Sequence, residues 1–197
     1  GLQSAELAAL AARMSEMKDV VYSRYVHTVV DNAKALAEGL AAGGAKVLFG
    51  GTDSHLVIID TKGCAVSARG AQELLMEAGV NVRICTMLTT DPNVKYDAVR
   101  FSTLPSTTRG ANANQMREMG KTIAELQRPD EAHIKALKEK VSLITVGLPA
   151  FYDQWLSDIV RENLSRMSYM TSDSTIIRDS VHPSRLSMLT KKLKNNN

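Results

Sequence analysis

The sequence predicts a small α/β sandwich, with helices on one side of a modest sheet, a long helix before it and a helical extension after it. Three observations point there. GGTDSHLVIID, Gly50 to Asp60, runs a two-glycine turn into four consecutive apolar residues, three of them β-branched. Glycine permits a positive φ or a close backbone approach, and such an apolar run reads as a strand covered on both faces. Stretches rich in Ala, Leu, Glu and Met alternate with short strand-like runs, and glycine or proline separates most of them.

In chain order, Ser4 and Glu6 open a helix-forming stretch that continues to Leu40, with a break expected near Asp19 because Val20-Val21-Tyr22 is a poor helical run. Gly39, Gly43 and Gly44 are expected to end it. Ala45 to Phe49 reads as a short strand able to pair with HLVIID across the GGTDS turn. Ser67 caps a short amphipathic helix with Ala71, Leu74, Leu75 and Ala78 inward, closed by Gly79. VNVRI and DAVRFS (Asp97 to Ser102) are strand-like. Helices follow through QMREMGKTIAELQ and EAHIKALKEKVSLITVG, with Pro129-Asp130 between them. Asp153 then caps a final amphipathic helix bearing Trp155, Leu156, Ile159, Val160, Leu164 and Met167. The expected organisation is 1–44 as a long helical segment, 45–152 as the folded domain, and 153–197 as an extension.

Composition bounds the function. With 197 residues, 44% of them apolar, the chain can bury a sizeable core. No apolar run approaches the roughly 20 residues that span a bilayer, so an integral membrane protein is not expected. The net charge is +3, and the segment from Thr171 to Asn197, with five basic and two acidic residues, carries all of that surplus. Cys64 and Cys85 lack metal-type spacing and read as free thiols of a reducing interior. The first residue is Gly1 rather than Met, which a removed organelle-targeting segment would explain; a mitochondrial location is then the expectation, and a cytoplasmic one otherwise.

VVDNAKALAEGL, GGTDSHLVIID, AQELLMEAGVNV and VRFSTLPSTTRG occur in this order, and together they resemble the C-terminal small domain of serine hydroxymethyltransferase, a fold-type I pyridoxal-phosphate enzyme that interconverts serine and glycine. The resemblance runs from about Leu10 to Tyr152, where LPAFY looks like the family's FPLY-like end. It implies that Arg100 matches the arginine that grips the substrate carboxylate, a task suited to a planar bidentate fork. The preferred reading of Arg100 in this chain is structural, pairing with a local acid or a partner chain, its family role being vestigial. The resemblance also implies that Schiff-base lysine, cofactor ring contacts and phosphate cup belong to a separate large domain. No lysine here lies in a TTTHK-like context and no glycine-rich loop cradles a phosphate.

Departures from the family pattern weigh against a working site. The folate-contacting NKN segment aligns with Arg83, Ile84 and Cys85, exchanging amide donors and acceptors for a cation, an aliphatic group and a thiol. The GTPA turn becomes Ser102-Thr103-Leu104-Pro105, with its proline shifted by one. His55 as a base and Cys85 as a nucleophile are each weighed against structural roles, and the structural roles are preferred. Met116 and Met119 read as core filler.

A non-catalytic structural subunit of a larger, mitochondrial assembly, such as the ribosome or a respiratory complex, is therefore the expected function, with no cofactor of its own. Its partner-binding residues are expected in the extension: Trp155, Ile159, Leu164 and Met167 as apolar anchors, with Arg185, Lys191, Lys192 and Lys194 touching RNA or an acidic surface. The rival is the C-terminal half of a split hydroxymethyltransferase, dependent on pyridoxal phosphate and completed by a separate cofactor domain. A general RNA-binding module is a third option, opposed by the neutrality of residues 1–170.

Overall fold

The N-terminal stretch forms α1 (Ser4–Glu16) and α2 (Val20–Ala42) rather than one helix. The break falls where the sequence placed it, but its cause is a cap rather than the β-branched run. The Asp19 carboxylate accepts from the Val21 N–H at 2.8 Å, and Val20, Val21 and Tyr22 make the first turn of α2. A side-chain acceptor at this position satisfies one of the donors that a helix start leaves open. This computed structural model describes residues 3–62, 64, 66–88, 93, 95–125 and 131–156. The chain divides into two units, 1–155 and 156–197, and the architecture below is that of the first.

After α2 come β1 (Lys46–Val47), β2 (Leu56–Asp60), α3 (Ala68–Glu77), β3 (Arg83–Leu88), β4 (Lys95–Ser102), α4 (Leu104–Thr108), α5 (Ala113–Ala124) and α6 (Glu131–Thr145). The strands form a four-stranded sheet in the order β1-β2-β4-β3, every neighbour antiparallel. The predicted α/β class and the single helical layer are what the molecule has. β1 is shorter than expected, because Leu48–Gly50 turn into a 3₁₀ segment with Phe49 at φ 61°. A short helix, α4, occupies a stretch that sequence reading left without structure. Ser67 caps α3 as expected, its hydroxyl accepting from the Gly70 N–H at 3.2 Å.

The strand pleat sorts the sheet into two unlike faces. Val47, Val57, Ile59, Ile84, Val99 and Phe101 face the helices and join Leu36, Leu40, Leu75, Met116, Met119, Ile123, Leu137 and Val141 in the core. Met116 and Met119 are buried, as predicted. Strand β2 is not covered on both faces: Leu56 and Ile58, on the opposite side from Val57, are only half-buried. An antiparallel sheet with its described helices on one side leaves the other face more open, although Asp60 and Ala98 on that face are buried.

Gly39 does not end α2 either. It lies inside the helix, buried, where a Cβ would overlap the backbone carbonyl of Arg117 in α5. Across the same crossing, a Cβ on Gly120 would lie 2.5 Å from the Leu36 oxygen and 2.7 Å from the Leu40 nitrogen. The two helices meet backbone to backbone because neither glycine has a side chain. Gly120→Ala should therefore lower stability by roughly 2–3 kcal/mol despite a gain of about 1 kcal/mol in helix propensity. Gly70→Ala in α3, where the nearest atoms lie at 3.6 Å, should be neutral or mildly stabilising. Urea unfolding of both variants checks this: the midpoint should fall for Gly120→Ala alone, with the slope unchanged.

Candidate functional site

The open face of the sheet gathers the chemistry-bearing residues. Directly opposed residues of antiparallel strands share a face, so the register sets the layout. Ile58 of β2 stands opposite Arg100 of β4, and Arg100 stands opposite Arg83 of β3. One step along, Asp60 opposes Ala98, which opposes Cys85, and Lys46 opposes Asp60 from β1. Arg100 is half-buried and Arg83 exposed. Among the described residues neither side chain takes part in a hydrogen bond or an ion pair.

Asp60 is the buried carboxyl of this face, 4% exposed, and it is already committed. Its Oδ2 accepts from Lys46 Nζ at 2.8 Å and its Oδ1 from the Lys62 N–H at 2.8 Å. Burial pushes the carboxyl pKa up, but the Lys46 hydrogen bond, the Lys62 amide and the charges of both lysines outweigh it and hold the group below its usual value. The same hydrogen bond raises Lys46. Cys85 is half-buried, and its thiol is pushed up, first by burial; Arg100 pulls it down and Asp97 adds to the rise. That favours the protonated thiol over a nucleophilic thiolate. Cys64 sits near the Asp60 carbonyl, its Sγ 3.9 Å away.

At the β2 side of this face, Phe49, Gly50, Gly51, Thr52, Asp53, Ser54, Leu56 and Ile58 line a hollow of about 470 Å³. Phe49 is 79% exposed although it is an aromatic residue in the left-handed region. Gly50 and Gly51 follow it at φ 70° and 136°, so the turn needs both glycines. His55 contributes its backbone carbonyl, which accepts from the Thr103 N–H at 3.1 Å. The described residues do not by themselves fit pyridoxal phosphate: Lys46, the amine that opposes Asp60 on this face, is tied to that carboxylate. No cluster of three His, Cys, Asp or Glu suited to a metal occurs among the described residues.

Trp155, expected on a partner-facing stripe, instead packs on its own unit. Its ring lies edge-on to Tyr25 and Tyr152, with centroids 5.3 and 5.7 Å apart, and its Nε1 donates to the Thr107 carbonyl at 2.8 Å. The segment around it is pinned by Arg109, which donates to the Pro149 and Leu148 carbonyls at 3.1 Å each, and by the Tyr152 N–H on the Thr108 carbonyl at 2.8 Å. Asp153–Trp155 is one 3₁₀ turn, not the start of the amphipathic helix predicted there. Ile159, Leu164, Met167, Arg185, Lys191, Lys192 and Lys194 lie outside the described residues.

Sequence reading missed two parts of the open face. Arg83 was seen only as a replacement in an aligned segment, and its place beside Arg100 needed the β3–β4 register. Phe49 was assigned to a strand, and only the positive φ of three consecutive residues reveals it as an exposed turn.

Two outcomes are expected here. The Asp60 contribution to stability should be present above the ordinary carboxylate range and lost as pH falls through its depressed folded pKa; Asp60→Asn should remove that part of the acid slope in pH-dependent unfolding. Trp155→Ala should cost about 2 kcal/mol, less than a fully buried tryptophan because the residue is only partly buried. It should be read as a lower thermal midpoint of the full chain.

A family model described as serine hydroxymethyltransferase matches residues 1–123. The match starts before Leu10 and stops short of LPAFY, so that segment's likeness to a family terminus has no support from it. Proteins named serine hydroxymethyltransferase from Chlamydia abortus and Koribacter versatilis are 36% and 37% identical over 124 and 123 residues. A third, from Chlamydia caviae, is 36% identical over 124 residues. Each alignment covers 62% of this chain but only 25% to 29% of the relative, so the chain spans little more than a quarter of the length of the curated relatives it matches. With more than half of its residues matched by the family model, the chain belongs to the serine hydroxymethyltransferase family.

Proposed function

We propose that this chain is a serine hydroxymethyltransferase-family small domain used as a structural subunit, docked on another polypeptide within a larger assembly. The observation that carries this is α1. Its 13 residues bury none of their own side chains, and Leu7, Leu10, Met14 and Met17 recur at helical spacing with about half of their surface exposed. An isolated helix of this length is marginal in water, and an apolar stripe of this kind is the ordinary mark of a protein contact. Covering the exposed half of the four side chains contributes about 1 kcal/mol each before ordering and association costs are subtracted.

The non-catalytic part of the proposal is supported by Arg83, Ile84 and Cys85 standing where the family pattern has amide side chains, and by the raised Cys85 thiol. Segment 156–197 is the second contact proposed. Its positive surplus suits an RNA-rich or acidic neighbour, and a mitochondrial ribosome or respiratory complex is the host proposed. A second reading, the small-domain half of an enzyme completed by a separate cofactor domain, is favoured by one specific feature: Arg100 is kept, with no acid paired to it among the described residues.

Purification at native abundance, followed by sizing, tests the proposal. The chain should migrate within a complex, and a Leu10→Asp/Met14→Asp double variant should migrate alone while keeping its far-UV spectrum. A free monomer of the unaltered chain would overturn it. So would activity and aldimine absorbance gained on mixing with a cofactor domain and lost in Arg100→Ala, the result the second reading demands.

A further inference from the structure

We propose that the outer edge of β3 pairs with the same edge of a second copy of this chain, antiparallel and about a two-fold axis at Thr86. An edge strand presents a row of unpaired backbone groups, and folds protect such rows with short strands, charges, prolines or bulges. The two edges of this sheet, β1 and β3, differ in that respect. β1 is two residues long, carries Lys46 and turns at once into the 3₁₀ segment. β3 is six residues long and pairs with β4 at every one of them, so no bulge interrupts it. From Ile84 to Leu88 it has no charge, proline or glycine. Among the described residues its far side meets no backbone partner. Leu88 is 67% exposed, and Thr86 is exposed as well.

The side chains of that edge select the occupant. Ile84-Cys85-Thr86-Met87-Leu88 has the same chemistry in both directions: aliphatic, sulfur, hydroxyl, sulfur, aliphatic. Matched antiparallel to itself about Thr86, the strand sets like against like. Ile84 lies opposite the partner's Leu88, Cys85 opposite the partner's Met87, and the two Thr86 residues face each other. Opposed residues of an antiparallel pair share a face and interact, and Thr–Thr pairs are among the stabilising ones. Arg83 falls outside this ladder, so its charge meets no copy of itself. Centring on Cys85 would instead set Arg83 against Met87 and Ile84 against Thr86, a mismatch at both pairs. A two-fold axis normal to the sheet makes the contact self-complementary and joins the two sheets into one, with the helices of both copies on one side. A ladder this short belongs at the low end of interface sizes, below about 1,200 Å², so the dimer should be concentration-dependent. The inference stands apart from the reading of α1, which lies on a different element.

Sedimentation equilibrium of the full chain, purified free of other proteins, tests it. The average mass should rise with concentration toward twice that of one chain. Thr86→Glu sets two carboxylates against each other at the axis, with Asp97 beside each, and should weaken self-association about tenfold or more. Mixing Thr86→Glu with Thr86→Lys should restore it, because this position faces itself only in this register. That rescue separates a lost contact from a lost fold. Met87→Cys in a Cys64→Ser background supplies a second readout. The new thiol lies opposite the partner's Cys85, within the Cα separation of about 4.4–6.8 Å that a disulfide takes, so diamide should link the two chains. The same background without Met87→Cys should not link, since the two Cys85 residues are diagonal neighbours about 7–8 Å apart. Leu10→Asp/Met14→Asp should leave self-association unchanged. Four results would overturn the inference: a monomer at every concentration, self-association unaffected by Thr86→Glu, a Cys85–Cys85 link, or loss of the dimer in Leu10→Asp/Met14→Asp, which would place the contact on α1.

Discussion

The crossing of α2 and α5 is the constraint on which the rest of this domain depends. Gly39 and Gly120 let the two backbones touch, and the apolar side chains around them, Leu36, Leu40, Met116 and Ile123, close over the contact. Interiors this closely packed transmit small volume changes. Everything that α2 positions is therefore referred to the glycine pair. Asn32, one face along the same helix, donates through Nδ2 to Thr107 Oγ1 at 2.9 Å and to the Ala111 carbonyl at 2.8 Å. Thr103 Oγ1 donates to the Val29 carbonyl at 2.9 Å, and Tyr25 hydrogen-bonds Thr108. These bonds fix the segment between β4 and α5, and through it the end of the strand that carries Arg100.

The buried polar groups on this helix divide unevenly. The Asn32 amide nitrogen uses both of its protons, whereas its Oδ1 is buried with no partner among the described residues. A buried acceptor without a donor costs about 1–3 kcal/mol. Two intramolecular bonds from one amide, each worth about 0.5–1.5 kcal/mol net, roughly offset that. The segment from Thr103 to Ala111 is thus positioned more than it is stabilised. Trp155 makes up part of the difference, because its ring covers Tyr25 and its Nε1 closes the Thr107 carbonyl.

How far the sequence disclosed all this depended on how local each cause was. Helix content, the capped start of α3 and the burial of Met116 and Met119 follow from propensity and spacing within a few residues, and they were legible. The break at Asp19 was placed correctly for a different reason, since a single side-chain acceptor outweighed the β-branched run after it. Gly39 reads as a terminator in sequence, because a glycine near a helix end looks the same whether it stops the helix or admits a neighbour. Its role belongs to α5, more than 70 residues away. Arg83 was legible as a departure but not as a neighbour of Arg100, because antiparallel register is a property of two strands together. Trp155 was read from helical spacing that continues past it, yet Tyr25, Tyr152 and the Thr107 carbonyl hold it on the first unit.

The two faces of the sheet show what a shared ancestry retains and what it releases. On the helix side, the pleat gives Val57, Ile59, Val99 and Phe101, every one packed against α2, α3 or α5 neighbours, and any change there must be absorbed by the core. On the other side, Leu56, Ile58, Arg100 and Cys85 are half-buried and Arg83 is exposed, so substitution there is limited less by volume. VVDNAKALAEGL and GGTDSHLVIID, segments that resemble the family, build the crossing and the turn, whereas Arg83-Ile84-Cys85 lie on β3, where Arg83 is exposed and Ile84 and Cys85 are half-buried. Folding accounts for the first group without any appeal to activity. A residue on the open face alters charge and shape without touching the glycine crossing that holds the fold.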